Sequence, residues 1–193
     1  KRNINCSICI VGEPTSMKAI QAHKGCYEYS THFTGLAGHG SAPDKGVSAV
    51  EYAVRFINKL MDLREELKKR VPKNSVFTPP YSTLQIGRIK GGLARNVIAD
   101  QCVVDWELRP VVPEDGKFVN ESMETYVKDV LLPEMKKVYP KANIEKEIIG
   151  EIVGFAKEEK SDAVNLACNL TGDNSQDVVS FGTEAGLFQE IGI

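Results

Sequence analysis

The chain has 193 residues, enough for one good-sized domain or for one domain with pieces of another. Its 24 lysines and arginines nearly balance 26 aspartates and glutamates, and the formal net charge of -2 argues against a nucleic-acid surface, which needs clustered basic residues. The sequence contains neither an apolar run long enough to span a bilayer nor a signal segment, so we expect a soluble cytoplasmic protein.

Five cysteines, an odd number without a regular framework, are typical of reduced thiols in a cytosolic chain. Cys6 and Cys9 have the spacing of a redox or zinc knuckle, but no second pair completes a metal site. The apolar run at residues 5–11 instead predicts a buried parallel strand. Glu13 follows that strand at its carboxyl end, where open α/β sheets place their ligands.

Residues 23–33 alternate in a pattern rich in β-favouring side chains and predict the next strand. His23 and His32 belong to this segment. We interpret both as structural, because nine residues apart on one strand they would point to opposite faces.

A glycine-rich loop at residues 35–44 carries His39 between two glycines. Glycine permits a close approach of a ligand to the main chain, and Pro43 stiffens the exit from the loop. A histidine titrates near neutrality and can donate a hydrogen bond to a developing negative charge. His39 is therefore the candidate catalytic residue. The alternative is that it is only a polar residue in a turn.

The segments after this loop alternate between helical and strand patterns. Apolar side chains recur at helical spacing over residues 48–70 and again over residues 121–138, where Pro133 predicts a kink or an early break. Strands are predicted at residues 82–89, 96–108 and 143–153. The order β-α-β-β-α-β from about residue 22 to residue 153 predicts an α+β, ferredoxin-like arrangement.

The final segment predicts a helix at residues 161–170, a polar loop leading into a short strand at residues 173–180, and a helix-like end at residues 187–191. The motif Gly-Thr-Glu-Ala-Gly at residues 182–186 opens that end. Free backbone N–H groups at such an entrance can bind a carboxylate, although a plain strand-to-helix turn explains the motif equally well.

Four motifs occur in order along nearly the whole chain. They are Gly-Glu-Pro-Thr at residues 12–15, Gly-His-Gly-Ser-Ala-Pro at residues 38–43, Gly-Gly-Leu-Ala-Arg-Asn at residues 91–96, and Phe-Gly-Thr-Glu-Ala-Gly at residues 181–186. Together they resemble the co-catalytic zinc peptidase and amidase family of acetylornithine deacetylase, succinyl-diaminopimelate desuccinylase and aminoacylase. The first and last motifs are most similar to the acetylornithine deacetylase branch.

The resemblance implies hydrolysis of an N-acyl amide by a water held between two zinc ions, with cobalt as an alternative metal. Glu13 matches one metal ligand of the family. His39 matches a lid histidine that reaches into the active site of the partner subunit of a homodimer and stabilises the oxyanion.

The resemblance also implies a set of substrate-binding residues. Asn96 matches an asparagine that contacts substrate. Arg109 fits the role of a fork for the substrate α-carboxylate, because guanidinium is planar and pairs bidentately. Gly182 and Thr183 complete the set. The alternatives are that Arg109 is an exposed charge at a strand end and that Asn96 is a turn residue.

By the same resemblance, residues 1–21 and 154–193 are pieces of a catalytic domain, and residues 22–153 are a lid and dimerisation domain. The family's other metal ligands and its general base are absent from this sequence, so we expect this chain alone to bind no zinc pair and to be inactive. The expected activity of the parent protein is conversion of N-acetyl-L-ornithine and water to L-ornithine and acetate, in arginine biosynthesis. The alternatives are an aminoacylase, a desuccinylase, a dipeptidase or a non-catalytic homodimerisation module.

Overall fold

The computed structural model describes residues 6–158 and 160–193. The strands, in chain order, are β1 (Ala19–His23), β2 (Cys26–Thr34), β3 (Gly38–His39), β4 (Thr83–Gly91), β5 (Val97–Ile98), β6 (Gln101–Arg109), β7 (Asn143–Ile152) and β8 (Gln176–Val179). The helices are α1 (Ala49–Leu67), α2 (Pro113–Tyr126), α3 (Leu132–Val138), α4 (Asp162–Thr171) and α5 (Ala185–Glu190), and a π-helical turn at Val127–Leu131 joins α2 to α3.

A four-stranded antiparallel sheet in the order β4-β6-β2-β7 forms the centre of the molecule. Helix α1 crosses from β2 to β4, and the α2–α3 segment crosses from β6 to β7. This order of elements and strands is the ferredoxin-like arrangement, which confirms the predicted fold class.

The core lies between one face of this sheet and helices α1, α2 and α3. Strand β6 buries every second residue, from Cys102 to Leu108, because successive side chains of a strand point to opposite faces. Helix α1 buries six residues at helical spacing. The Phe33 and Phe56 rings meet edge to face, with centroids 5.4 Å apart. The buried Trp106 satisfies its indole N–H by donating to Thr31 Oγ1 at 3.0 Å.

The prediction of a strand at residues 5–11 is wrong for those of its residues that the structure describes. Residues 6–11 form no strand, and residue 5 lies outside the described ranges. The strand of this region is β1, which pairs in parallel with β8. A strand needs a hydrogen-bonded neighbour for its backbone groups. In the described chain β8 provides that neighbour for β1 and not for residues 6–11.

The single strand predicted at residues 23–33 is two strands in two sheets. The break falls at Lys24 and Gly25, where the Gly25 N–H leaves the β1 ladder and donates to the Pro110 carbonyl at 2.9 Å. His23 and His32 therefore belong to different sheets and are not opposite faces of one strand.

The segment predicted as one strand at residues 96–108 is also divided. Strand β5 pairs with β3 outside the central sheet, and β6 then starts at Gln101. The second helix begins at Pro113, earlier than predicted, since a proline fits the first turn of a helix. Pro133 does not end the helix. The π-helical turn directly precedes it, and α3 continues to Val138.

Candidate functional site

Backbone pairing places His39 beside Asn96. Strand β3 runs antiparallel to β5, with His39 opposite Val97, and the Gly40 N–H donates to the Asn96 carbonyl at 2.8 Å. A Cβ at Gly40 would lie 3.2 Å from the Asn96 backbone, so glycine permits this close approach. Two candidate residues that are far apart in sequence are therefore neighbours.

The loop that carries His39 is tied to the fold on both sides. Leu36 and Val47 exchange two backbone hydrogen bonds of 2.9 Å, and the Ala49 N–H donates to the Ala99 carbonyl at 2.7 Å. A Cβ at Gly35 would lie 2.0 Å from the Val47 carbonyl oxygen, so this position accepts only glycine. These contacts fix the exposed His39 in place relative to helix α1 and the sheet.

Arg109 ends strand β6 and forms an ion pair with Glu107, Nη2 to Oε2 at 2.7 Å. Burial disfavours the guanidinium charge, but the hydrogen bond that Arg109 donates to Glu107 and the neighbouring Cys26 and Glu28 outweigh this effect and raise the pKa of Arg109. Burial also raises the pKa of the Cys26 thiol, although Arg109 opposes this effect. Arg109 is thus a permanent cation, four-fifths buried, at the end of the sheet.

The turn before α5 approaches the same end of the sheet. A Cβ at Gly182 would lie 2.7 Å from the Cys26 Cβ. Cys26 precedes Tyr27, which pairs across the sheet with Leu108, the residue before Arg109. Thr183 is buried, and its hydroxyl accepts the Ala185 N–H at 3.1 Å. The structure therefore brings Arg109 and the Gly182–Thr183 turn to one place.

Glu13 is exposed and lines a cavity of about 370 Å³ together with Thr183 and His23. Within residues 6–158 and 160–193, no three His, Cys, Asp or Glu side chains are grouped so that they could hold a metal ion. A co-catalytic zinc pair needs several protein ligands. The described residues of this chain do not fit such a pair by themselves.

The sequence reasoning missed the buried Lys24, which follows His23 of this cavity. Lys24 is fully buried and donates from Nζ to the Pro79 and Tyr81 carbonyls, both at 2.8 Å, and burial lowers its pKa to about 8. His23 Nδ1 donates to the Lys24 carbonyl at 2.8 Å, whereas Nε2 has no partner in the described part of the chain. Burial lowers the pKa of His23. The signal for these residues in the sequence was a histidine and a lysine, followed by glycine, at the start of a predicted strand.

The candidate residues form two groups at opposite ends of the central sheet. His39 and Asn96 follow the end of β2 and precede β6, whereas Arg109 ends β6 beside the start of β2. Each of these strands has nine residues and so spans roughly 25 to 30 Å, at about 3.3 Å per residue. One chain therefore does not bring His39 and Arg109 to the same small substrate.

Comparison with known proteins gives a consistent set of relatives. Residues 21–135 match the family described as peptidase dimerisation domain. The chain is 34% identical over 183 residues to an acetylornithine deacetylase of Edwardsiella ictaluri, and the alignment covers 95% of this chain and 46% of that protein. The chain therefore spans about half the length of this relative.

Solved structures share the fold at lower identity. A tripeptidase from Staphylococcus aureus matches with a TM-score of 0.62 and 23% identity, over 92% of this chain and 43% of its own. An amidase of the hydantoinase/carbamoylase family from Burkholderia vietnamiensis matches with a TM-score of 0.65 and 16% identity, over 89% of this chain and 39% of its own. No helix among the described residues is long and apolar enough to cross a membrane.

Proposed function

Because this chain belongs to the peptidase dimerisation domain family, we propose that it is the lid and dimerisation part of a metal-dependent amide hydrolase that removes the acetyl group from N-acetyl-L-ornithine. The 34% identity to an acetylornithine deacetylase supports this substrate. We place the lid at residues 22–153 and assign residues 1–21 and 154–193 to the catalytic domain.

In this proposal the substrate binds at the end of the sheet that carries Arg109. The guanidinium pairs bidentately with the substrate α-carboxylate, and the Gly182–Thr183 turn borders the same place. Bound zinc in the complete protein would lower the pKa of water and so activate it for hydrolysis. Glu13 is the residue of this chain that would contribute to holding the metal.

The oxyanion formed on the acyl carbon is stabilised by His39 of the partner subunit, and Asn96 accompanies it because backbone pairing holds the two together. The observation that carries this assignment is the separation of His39 and Arg109 to opposite ends of one sheet. A two-fold dimer pairs each Arg109 with the His39 of the other chain and creates two equivalent sites.

The proposed function is tested with the full-length protein loaded with zinc. Hydrolysis is compared for N-acetyl-L-ornithine, a neutral N-acetyl amino acid, N-succinyl-diaminopimelate and a dipeptide. The highest kcat/KM on N-acetyl-L-ornithine supports the proposal. A preference for another member of this panel assigns the protein to another branch of the same hydrolases, and hydrolysis of none supports a non-catalytic dimerisation module.

A further inference from the structure

We propose that Ser41 is a positioning residue that fixes the tautomer of His39, so that the ring presents an Nε2–H donor. The inference rests on the proposed role of His39 as oxyanion donor. It adds the residue that prepares the imidazole for that role.

The backbone of Ser41 decides which ring nitrogen accepts. Its N–H lies 3.2 Å from His39 Nδ1 in hydrogen-bonding geometry. A backbone amide can only donate, so Nδ1 must accept and carries no proton in this arrangement. In a neutral imidazole the proton is then on Nε2.

The side chain of Ser41 also favours an unprotonated Nδ1. Its hydroxyl oxygen lies 2.7 Å from the same Nδ1. A hydroxyl can donate or accept, but Nδ1 carries no proton here, so the hydroxyl donates and shares the single lone pair of Nδ1 with the Ser41 N–H. Both donors of one residue thus stabilise a single tautomer.

The local backbone explains why Ser41 lies beside Nδ1 of His39. The Ala42 N–H donates to the His39 carbonyl at 2.9 Å and closes a tight turn, and the Gly40 N–H is fixed to the Asn96 carbonyl. Ser41 therefore follows His39 around a turn that is anchored to strand β5. The sequence Gly-His-Gly-Ser contains both the donor and the group that orients it.

The tautomer matters because the two forms of neutral imidazole have opposite effects on an anion. With the proton on Nε2, that nitrogen can donate a hydrogen bond to the oxyanion. With the proton on Nδ1, the same nitrogen presents a lone pair and repels it. A hydrogen bond at the second nitrogen is the usual means by which proteins select the tautomer.

The test compares Ser41→Ala and Ser41→Thr in the full-length protein. The first variant removes the hydroxyl and the second keeps it. Ser122→Ala is the matched control, because the Ser122 hydroxyl bonds to the carbonyl of Phe118 in its own helix. We expect kcat on N-acetyl-L-ornithine to fall about 3- to 10-fold in Ser41→Ala, the factor that one hydrogen bond carries, with KM unchanged and with recovery in Ser41→Thr.

A second measurement does not depend on activity. The ¹⁵N chemical shifts of the His39 ring, assigned by comparison with His39→Ala, report which nitrogen is protonated. We expect an Nε2–H tautomer in the wild type and a smaller Nε2–H population in Ser41→Ala, which keeps the backbone N–H but loses the hydroxyl donor. An Nδ1–H tautomer in the wild type, or identical shifts and kcat in Ser41→Ala, would overturn the proposal. Lack of hydrolysis by the wild type would contradict the proposed function but would leave this spectroscopic test valid.

Discussion

His39 and Arg109 lie at opposite ends of one four-stranded sheet. Strand β2 runs from Cys26, beside Arg109, to Thr34, after which the chain enters the His39 loop. Strand β6 returns from the Asn96 end to Arg109. An active site that needs both an oxyanion donor and a carboxylate fork from this chain must therefore combine two copies of it.

The proposed role of Arg109 depends on the shape of its side chain as well as on its charge. We expect Arg109→Lys to raise KM for N-acetyl-L-ornithine about 10-fold, because an ammonium group cannot pair bidentately with a carboxylate. Steady-state kinetics of the full-length protein measure this change. Arg88→Lys is the control, since Arg88 forms an exposed ion pair with Asp105 on the adjacent strand. Equal KM values for the two variants would refute the assignment of Arg109.

Gly35 is expected to be the least replaceable glycine of the His39 loop. An added Cβ would meet the Val47 carbonyl oxygen at 2.0 Å and would break the reciprocal Leu36–Val47 hydrogen bonds. We expect Gly35→Ala to lower the free energy of unfolding by about 2 to 4 kcal/mol. Urea denaturation of the wild type and the variant measures this difference in the free energy of unfolding. Gly150→Ala is the matched control, because a Cβ there meets no atom within 4 Å. Comparable decreases in the free energy of unfolding of both variants would show that the contact with the Val47 carbonyl does not restrict position 35.

Lys24 predicts a particular dependence of stability on pH. Its pKa is about 8 in the folded chain and 10.5 in the unfolded chain. Between these values the unfolded chain binds more protons, so stability rises with pH from about 8 to about 10.5 and this contribution is absent below pH 8. We expect a rise of about 3 kcal/mol from this residue.

The measurement is the free energy of unfolding between pH 7 and pH 10.5. Lys24→Met should remove the rise. Lys117→Met should keep it, because that side chain is 74% exposed. Parallel profiles for the wild type and Lys24→Met would show that burial does not perturb Lys24.

Local sequence patterns predicted the central fold well. The helix at residues 48–70 appears as α1 with Ser48 as its N-cap, because six apolar side chains recur along one face. The boundaries that failed depend on distant partners. Strand β1 pairs with β8, more than a hundred residues later, and β5 leaves the β6 ladder to pair with β3. A single segment carries no signal for such partners.

The sequence identified the segments of the candidate site but not how these segments are arranged in space. Glycines mark the His39 loop and the turn at Gly182, and these could be chosen from the sequence alone. The contact between His39 and Asn96 depends on the β3–β5 pairing. The separation of His39 from Arg109 depends on the register of β2 and β6. Neither relationship is encoded by spacing along the chain.

Mixed dimers test the shared site most directly. Full-length His39→Ala and Arg109→Ala chains are each expected to be nearly inactive on N-acetyl-L-ornithine as homodimers. Their mixed dimer contains one site with an intact Arg109 from one chain and an intact His39 from the other. Random pairing of the two variants should therefore restore about one quarter of wild-type activity. If the mixture stays as inactive as the separate variants while size-exclusion and mass analysis show mixed dimers, His39 and Arg109 do not serve one site from two chains.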